Sequence, residues 1–121
     1  MTSVLVIEDN EDNFELIKVI LEVNGYAVRH AASGYAGVAQ VIAEPPDFVL
    51  LDIQLPDIDG EEVLRRIRQL DRFAHVPIIA VTSYAMSGDR ERLLKSGCNG
   101  YIEKPIDPFT VIEEIKGIVY G

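Results

Sequence analysis

A single cysteine, Cys98, stands in the whole chain, so no internal disulfide can form and a multi-cysteine metal site is excluded. Its setting reads as that of a small apolar residue near a core strand. Long hydrophobic runs are missing too. The most apolar stretches, Val4-Leu5-Val6-Ile7, Phe48-Val49-Leu50-Leu51 and Ile78-Ile79-Ala80-Val81, fall far short of the ~18 residues that a membrane span needs. Met1-Thr2-Ser3 carries no basic lead and no small-residue cleavage site, so no signal peptide is expected and the expected location is cytoplasmic. Positive charge is scarce: 11 Lys+Arg face 20 Asp+Glu, a net charge of −9. That balance repels phosphate backbones and argues against nucleic-acid binding by this chain. Internal repeats, low-complexity tracts and linkers are absent, as are the Gly-x-x-x-x-Gly-Lys loop of nucleotide sites and the Gly-x-Ser-x-Gly elbow of hydrolases.

What is present is the composition of a globular protein. The chain has 121 residues, of which 48% are hydrophobic and 26% charged, enough for one domain with its own core. Strand-like runs fall at Val4–Glu8, Ala27–Ala31, Phe48–Asp52, Ile78–Thr82 and Tyr101–Glu103, each separated by room for one helix and two short loops. The first, third and fourth are almost continuously apolar, as central strands of a parallel sheet covered on both faces must be. The second, with Arg29 and His30, reads as an edge. Phe14, Ile17, Ile20 and Leu21 mark one helical face that ends before Gly25; Val63, Leu64, Ile67 and Leu70 mark another. Glu61 and Glu62 open that second helix and Arg65, Arg66 and Arg68 follow, the order that suits the helix dipole, and the basic cluster reads as a solvated face. Ser87 and Gly97 bracket a shorter helix. Asp107-Pro108 reads as an N-cap and first helical position, with Phe109, Ile112, Ile115 and Val119 expected to be buried.

Five βα units with no strand-rich half predict an α/β, doubly wound parallel sheet, because parallel neighbours require right-handed crossovers. Ligand sites of such sheets lie beyond the carboxyl ends of the strands. Those ends carry Glu8-Asp9, Asp52, Thr82-Ser83 and Glu103-Lys104-Pro105. Carboxylates gathered there repel one another and favour a hard divalent cation, and magnesium is the predicted occupant. Thr82 offers a hydroxyl and Lys104 a compact positive charge, groups that stabilise a phosphoryl group in transfer, and Asp52 is left as the nucleophile. Taken singly, each residue has a plainer explanation. Asp9 or Asn10 can cap a helix, Asp52 can start a turn aided by Pro56 and Gly60, Thr82 suits any strand, and Lys104 suits any surface. As a set they require four separated segments to converge at the one rim where this architecture builds sites.

Four motifs in order, Val4-Leu5-Val6-Ile7-Glu8-Asp9-Asn10, Asp52-Ile53-Gln54-Leu55-Pro56-Asp57-Ile58-Asp59-Gly60, Val81-Thr82-Ser83 and Tyr101-Ile102-Glu103-Lys104-Pro105, resemble the receiver domain of two-component response regulators over the whole length. The resemblance implies a flavodoxin-like (βα)5 sheet of strand order 2-1-3-4-5. It implies that Asp52 is the phosphoacceptor, that Asp9 ligates Mg2+ with Glu8 assisting through water, and that Asp52 and the Gln54 backbone carbonyl complete the protein ligands. Thr82 and Lys104 then contact the phosphoryl group, Thr82 and Tyr101 form the switch, Gln54 and Tyr84 tune phosphoryl lifetime, and the Lys104-Pro105 peptide is cis. The implied partners are a histidine kinase or histidine phosphotransfer protein, and a downstream protein on the helix 4, strand 5, helix 5 face, about Gly88 to Tyr120. The protein is expected to act as one receiver domain over 1–121 without an output domain, as a monomer or a phosphorylation-dependent dimer.

Rival classes make different demands. A magnesium-dependent phosphatase of the haloacid-dehalogenase type resembles Asp-x-Asp, where the second aspartate protonates the leaving group, but Gln54 stands two residues after Asp52. A flavodoxin-type carrier needs a hydroxyl- and glycine-rich phosphate loop, whereas Glu8-Asp9-Asn10-Glu11-Asp12 would repel a flavin phosphate. A phosphorylation-independent adaptor would keep the fold without the chemistry.

Overall fold

The computed structural model describes residues 1–83 and 87–121. Five strands, β1 (Ser3–Ile7), β2 (Ala27–Ala31), β3 (Phe48–Asp52), β4 (Ile78–Thr82) and β5 (Gly100–Glu103), alternate with helices α1 (Glu11–Val23), α2 (Gly34–Ala43), α3 (Gly60–Arg68), α4 (Ser87–Lys95) and α5 (Val111–Tyr120). All strand pairings are parallel, in the order β2-β1-β3-β4-β5. The polar second strand is an edge strand, as its sequence indicates.

Successive strand residues point to opposite faces, which divides the core in two. Leu5, Ile7, Val49, Leu51, Ile78 and Ala80 pack with Val41 of α2, Val63, Leu64 and Ile67 of α3, and Leu93 of α4. Val4, Val6, Phe48, Leu50, Ile79 and Val81 pack with Phe14, Ile17 and Leu21 of α1 and Val111 and Ile115 of α5. Helices therefore cover both faces, and β1, β3 and β4 have almost no polar residue because neither face meets water.

Two expectations fail at loops and helix ends. Phe109 is 94% exposed rather than buried. Asp107 Oδ1 accepts the Phe109 N–H at 2.9 Å and its carbonyl accepts the Thr110 and Val111 N–H groups, so Asp107–Thr110 is a turn that points residue 109 outward. Regular α5 starts at Val111, after Thr110, not at Pro108. Arg68 is likewise not part of a solvated face. Arg65 and Arg66 are exposed and pair with Glu62, but Arg68 donates to the carbonyls of Gly97 (2.9 Å) and Phe73 (2.9 Å) and to Asn99 Oδ1 (2.9 Å). Burial lowers the pKa of its guanidinium. Gly97, at φ +114°, ends the α4 turn and turns its carbonyl into this cluster, at the sheet end remote from the acidic rim.

Candidate functional site

Backbone pairing that runs one residue past the strands places the acidic rim. Glu8 N–H bonds the Ala31 carbonyl at 3.0 Å and Ile53 N–H bonds the Val81 carbonyl at 3.2 Å, so Glu8 and Asp52 are held by the sheet itself. Lys104 N–H bonds the Thr82 carbonyl at 2.8 Å and brings the fourth segment alongside. Asn10 caps α1, its Oδ1 accepting the Asn13 N–H, which leaves the neighbouring Asp9 carboxylate exposed at the rim rather than spent on capping.

Asp52 is 4% exposed and Thr82 2%. Asp52 Oδ1 accepts the Gln54 N–H at 2.9 Å, and Oδ2 lies 3.2 Å from Lys104 Nζ. Lys104 Nζ is also 3.6 Å from Glu8 Oε1. Oxygens of Glu8, Asp9 and Asp52 come within 4.8 Å of one another. Glu8 is 5% exposed, and among the described residues neither of its carboxylate oxygens has a hydrogen-bond partner. Burial, reinforced by the adjoining Asp52 carboxyl, pushes the Glu8 pKa up to about 7. Three carboxylates, two of them buried, with one lysine between them form a donor set that fits a hard divalent cation.

Of the other expected site residues, Gln54 is exposed at the rim, with its N–H turned to Asp52. Tyr101 is partly buried on β5, with the Arg90 guanidinium 5.1 Å from its ring centroid. The Lys104–Pro105 peptide is cis. Tyr84 lies outside the described residues.

Several supporting residues escaped the sequence reading. His30 Nε2 lies 2.7 Å from the Glu8 carbonyl, and since a carbonyl only accepts, Nε2 carries the proton; the ring stacks on Phe14 at 3.7 Å between centroids. Asp57 reaches across to α2, its two oxygens accepting the N–H groups of Gly34 and Tyr35 at 2.9 Å each. Those bonds hold its carboxyl down at about pKa 2 and tie the loop after Asp52 to the positive end of a helix. Asn13, Leu16 and Ile106 line the cleft beside the carboxylates. All three of these hydrogen bonds link a side chain to a main-chain group more than twenty residues away, where no local pattern could signal them.

A doubly wound parallel sheet with carboxylates, a threonine and a lysine at its carboxyl rim defines a class, and the comparisons agree: the chain belongs to the response regulator receiver domain family, whose model matches residues 4–116. Among curated proteins it is 41% identical over 114 residues to the polar-differentiation response regulator DivK of Brucella anthropi, covering 94% of this chain and 93% of that protein. Among solved structures it is similar to a CheY-like receiver domain protein of Methanospirillum hungatei, at 32% identity and TM-score 0.89, covering 99% of this chain and 94% of that one. It is also similar to the receiver domain of a sensor histidine kinase of Pseudomonas aeruginosa, at 33% identity and TM-score 0.90, covering 99% and 98%. That structure has a magnesium ion coordinated in its active-site cleft. Receiver domains are signalling proteins of two-component systems rather than turnover enzymes. Among the described residues no helix is long and apolar enough to cross a membrane.

Proposed function

We propose that this chain is a phosphoacceptor switch, which takes a phosphoryl group onto Asp52 from the phosphohistidine of a histidine kinase or histidine phosphotransfer protein. The observation that carries the reading is the buried Asp52 carboxylate with Lys104 Nζ at 3.2 Å and two further carboxylates beside it. A carboxylate oxygen of Asp52 attacks phosphorus as the P–N bond to the imidazole breaks. The bonding pair leaves with the nitrogen, and the product is an aspartyl phosphate. Glu8, Asp9, Asp52 and the Gln54 carbonyl are the groups that would hold Mg2+, which supplies the positive charge needed to bring an anionic phosphoryl group against carboxylates. The Glu8 oxygens, which accept no hydrogen bond among the described residues, and the magnesium in the similar receiver of Pseudomonas aeruginosa support that assignment. Lys104 and the Thr82 hydroxyl stabilise phosphoryl oxygens.

Phosphorylation favours a packing in which the Thr82 hydroxyl moves to the phosphoryl group and Tyr101 turns inward, which remodels the α4–β5–α5 face for a downstream protein. Gln54 and Tyr84 set how long the modification lasts. Residues 1–121 act as one receiver domain, cytoplasmic, as a monomer or a phosphorylation-dependent dimer, catalysing only its own phosphorylation and dephosphorylation. Intact-mass spectrometry after incubation with Mg2+ and acetyl phosphate tests the reading. The expected result is a magnesium-dependent gain of one phosphoryl group that Asp52→Asn abolishes. No gain from acetyl phosphate or from a histidine kinase would overturn it in favour of a phosphorylation-independent adaptor. Steady phosphate release from ordinary monoesters at enzyme-like rates would favour an aspartyl phosphatase.

A further inference from the structure

The segments that form the rim hang on peptides just past the end of the sheet, and those peptides are not fixed alike. The Asp52–Ile53 peptide is held by its own N–H, which bonds the Val81 carbonyl at 3.2 Å, and the Glu103–Lys104 peptide by an N–H that bonds the Thr82 carbonyl at 2.8 Å. Both are ladder bonds from main chain to main chain, open to any residue but proline. The Glu8–Asp9 peptide lies one step farther out. The Glu8 N–H closes the ladder on the Ala31 carbonyl at 3.0 Å, and the carbonyl that follows is held by a side chain instead, with His30 Nε2 at 2.7 Å. This peptide carries Glu8 on one side and Asp9 on the other, two of the three carboxylates of the cluster. Because the peptide is planar, a turn of its plane changes ψ of Glu8 and φ of Asp9 together, and with them the angle between the two side chains.

His30 is itself firmly built in. Val6 is its register partner, which puts its ring on the sheet face that α1 covers. There the ring lies on Phe14, with centroids 3.7 Å and planes 10° apart. Gln40 of α2 donates to the His30 carbonyl at 2.7 Å and steadies its main chain. A carbonyl at the rim of a sheet needs only water to be satisfied; here it receives a donor whose direction two helices fix.

We propose that His30 is a positioning residue of the metal site, whose Nε2–H fixes the Glu8–Asp9 peptide plane and so sets both carboxylates to hold a divalent cation together with Asp52. The inference rests on the assignment of these carboxylates to Mg2+ made above, and adds a residue that touches neither the metal nor the phosphoryl group. Mg2+ demands near-ideal octahedral geometry, and losing a group that orients its ligands costs about 10–100-fold in affinity.

Two substitutions separate the N–H from the ring. His30→Phe keeps an aromatic ring for Phe14 and removes the donor; His30→Gln removes the ring and keeps an N–H as many bonds from Cα as imidazole Nε2. Calorimetric titration of the full chain with Mg2+ should show Kd raised about tenfold in His30→Phe and within about threefold of wild type in His30→Gln. The Mg2+ concentration for half-maximal Asp52 labelling by acetyl phosphate should rise in step in His30→Phe, with the rate at saturating Mg2+ unchanged. Without metal, the carbonyl 13C resonance of Glu8 should shift in His30→Phe and return in His30→Gln. Wild-type Mg2+ affinity in His30→Phe, whatever its urea midpoint, would make His30 a structural residue only and overturn the proposal. Equal losses in both variants would place the effect on the ring and overturn it too. Should His30→Phe not fold, the wild-type chain decides: long-range 1H–15N NMR of the neutral imidazole should find the proton on Nε2, and the reverse tautomer would overturn the proposal. Mg2+ binding without Asp52 labelling sinks the phosphoacceptor reading and leaves this one standing. Labelling with a Mg2+ affinity indifferent to His30→Phe sinks this one alone, and a wild type that binds no Mg2+ overturns both.

Discussion

Replacing Gly60 by alanine probes whether the loop bearing the phosphoacceptor is packed backbone against backbone. Gly60 opens α3, and its N–H bonds the Ile53 carbonyl at 2.9 Å. A Cβ at this position would lie 2.5 Å from Ile53 Cα, 2.8 Å from Ile53 Cδ1 and 3.0 Å from the Asp52 carbonyl oxygen. The nearest atom is main chain, so no rotamer change relieves the overlap and the loop itself must shift. Overpacking of this kind costs about 1–3 kcal/mol, offset by about 0.4–1 kcal/mol from the stiffer unfolded chain, which leaves a net loss of about 1–2 kcal/mol. Gly117 is the internal control: it lies within α5 and an added Cβ meets nothing within 4 Å. There alanine should stabilise by about 0.5–1 kcal/mol. Urea unfolding followed by far-ultraviolet circular dichroism measures both, and at an m-value of about 1–3 kcal/mol/M the two midpoints should differ by roughly 1 M. Because Ile53 separates Asp52 from the Gln54 N–H that holds it, Gly60→Ala should also slow acetyl phosphate labelling of folded protein, whereas Gly117→Ala should not. Gly60→Ala stability within about 0.5 kcal/mol of wild type would refute the packing argument.

Other perturbations test the electrostatics and the far end of the sheet. Lys104→Met removes the cation 3.2 Å from Asp52, so calorimetry should show Mg2+ binding tightened by about tenfold while Asp52 labelling falls; weaker Mg2+ binding would contradict the charge balance described. Glu8 titrates at about 7 in the folded, metal-free protein against 4.5 unfolded, so the folded state holds the proton more tightly. Its stabilising contribution is full below pH 4.5 and is lost as pH rises through about 7. Metal-free melting temperature should therefore fall across that window and Glu8→Gln should flatten the fall. Mg2+ at a hundredfold excess over Kd should restore about 2.7 kcal/mol above the window and less below it; a flat wild-type profile would count against the buried Glu8 carboxyl. Arg68→Lys should cost about 2–3 kcal/mol in urea unfolding, since one ammonium cannot span the Gly97, Phe73 and Asn99 acceptors that the guanidinium fork joins, and a neutral effect would return Arg68 to the solvated face.

Much of this architecture is legible because a parallel sheet covered on both faces leaves a strong imprint. Val4–Ile7, Phe48–Leu51 and Ile78–Val81 are apolar throughout, and the residues that follow, Glu8, Asp52 and Thr82, break the pattern at the rim where sites form. The strand order is a different matter. Right-handed crossovers restrict it without selecting 2-1-3-4-5, which came with the family resemblance. Helix ends were harder to place. Asp107-Pro108 carries the signals of a helix start, yet the Asp107 carboxylate spends itself on a turn and leaves Phe109 in solvent.

Apart from the Arg68 bond to Asn99 Oδ1, the supporting bonds that could not be read share one physical property: each joins a side chain to the main chain. His30 meets the Glu8 carbonyl, Asp57 the N–H groups of Gly34 and Tyr35, and Arg68 the carbonyls of Phe73 and Gly97. Every residue offers a carbonyl and nearly every one an N–H, so the partner's identity leaves no trace in the sequence, and only folding selects which of these groups comes within 3 Å. Chemistry between side chains is different, because both members must be of the right type. That is why Glu8, Asp9, Asp52, Thr82 and Lys104 could be gathered from four separated segments, while the residues that hold their backbone in place could not. It follows that substitutions at His30 and Asp57 act on the site through main-chain position alone, and their effects should track the geometry of Glu8 and of the loop after Asp52 rather than the charge of the cleft.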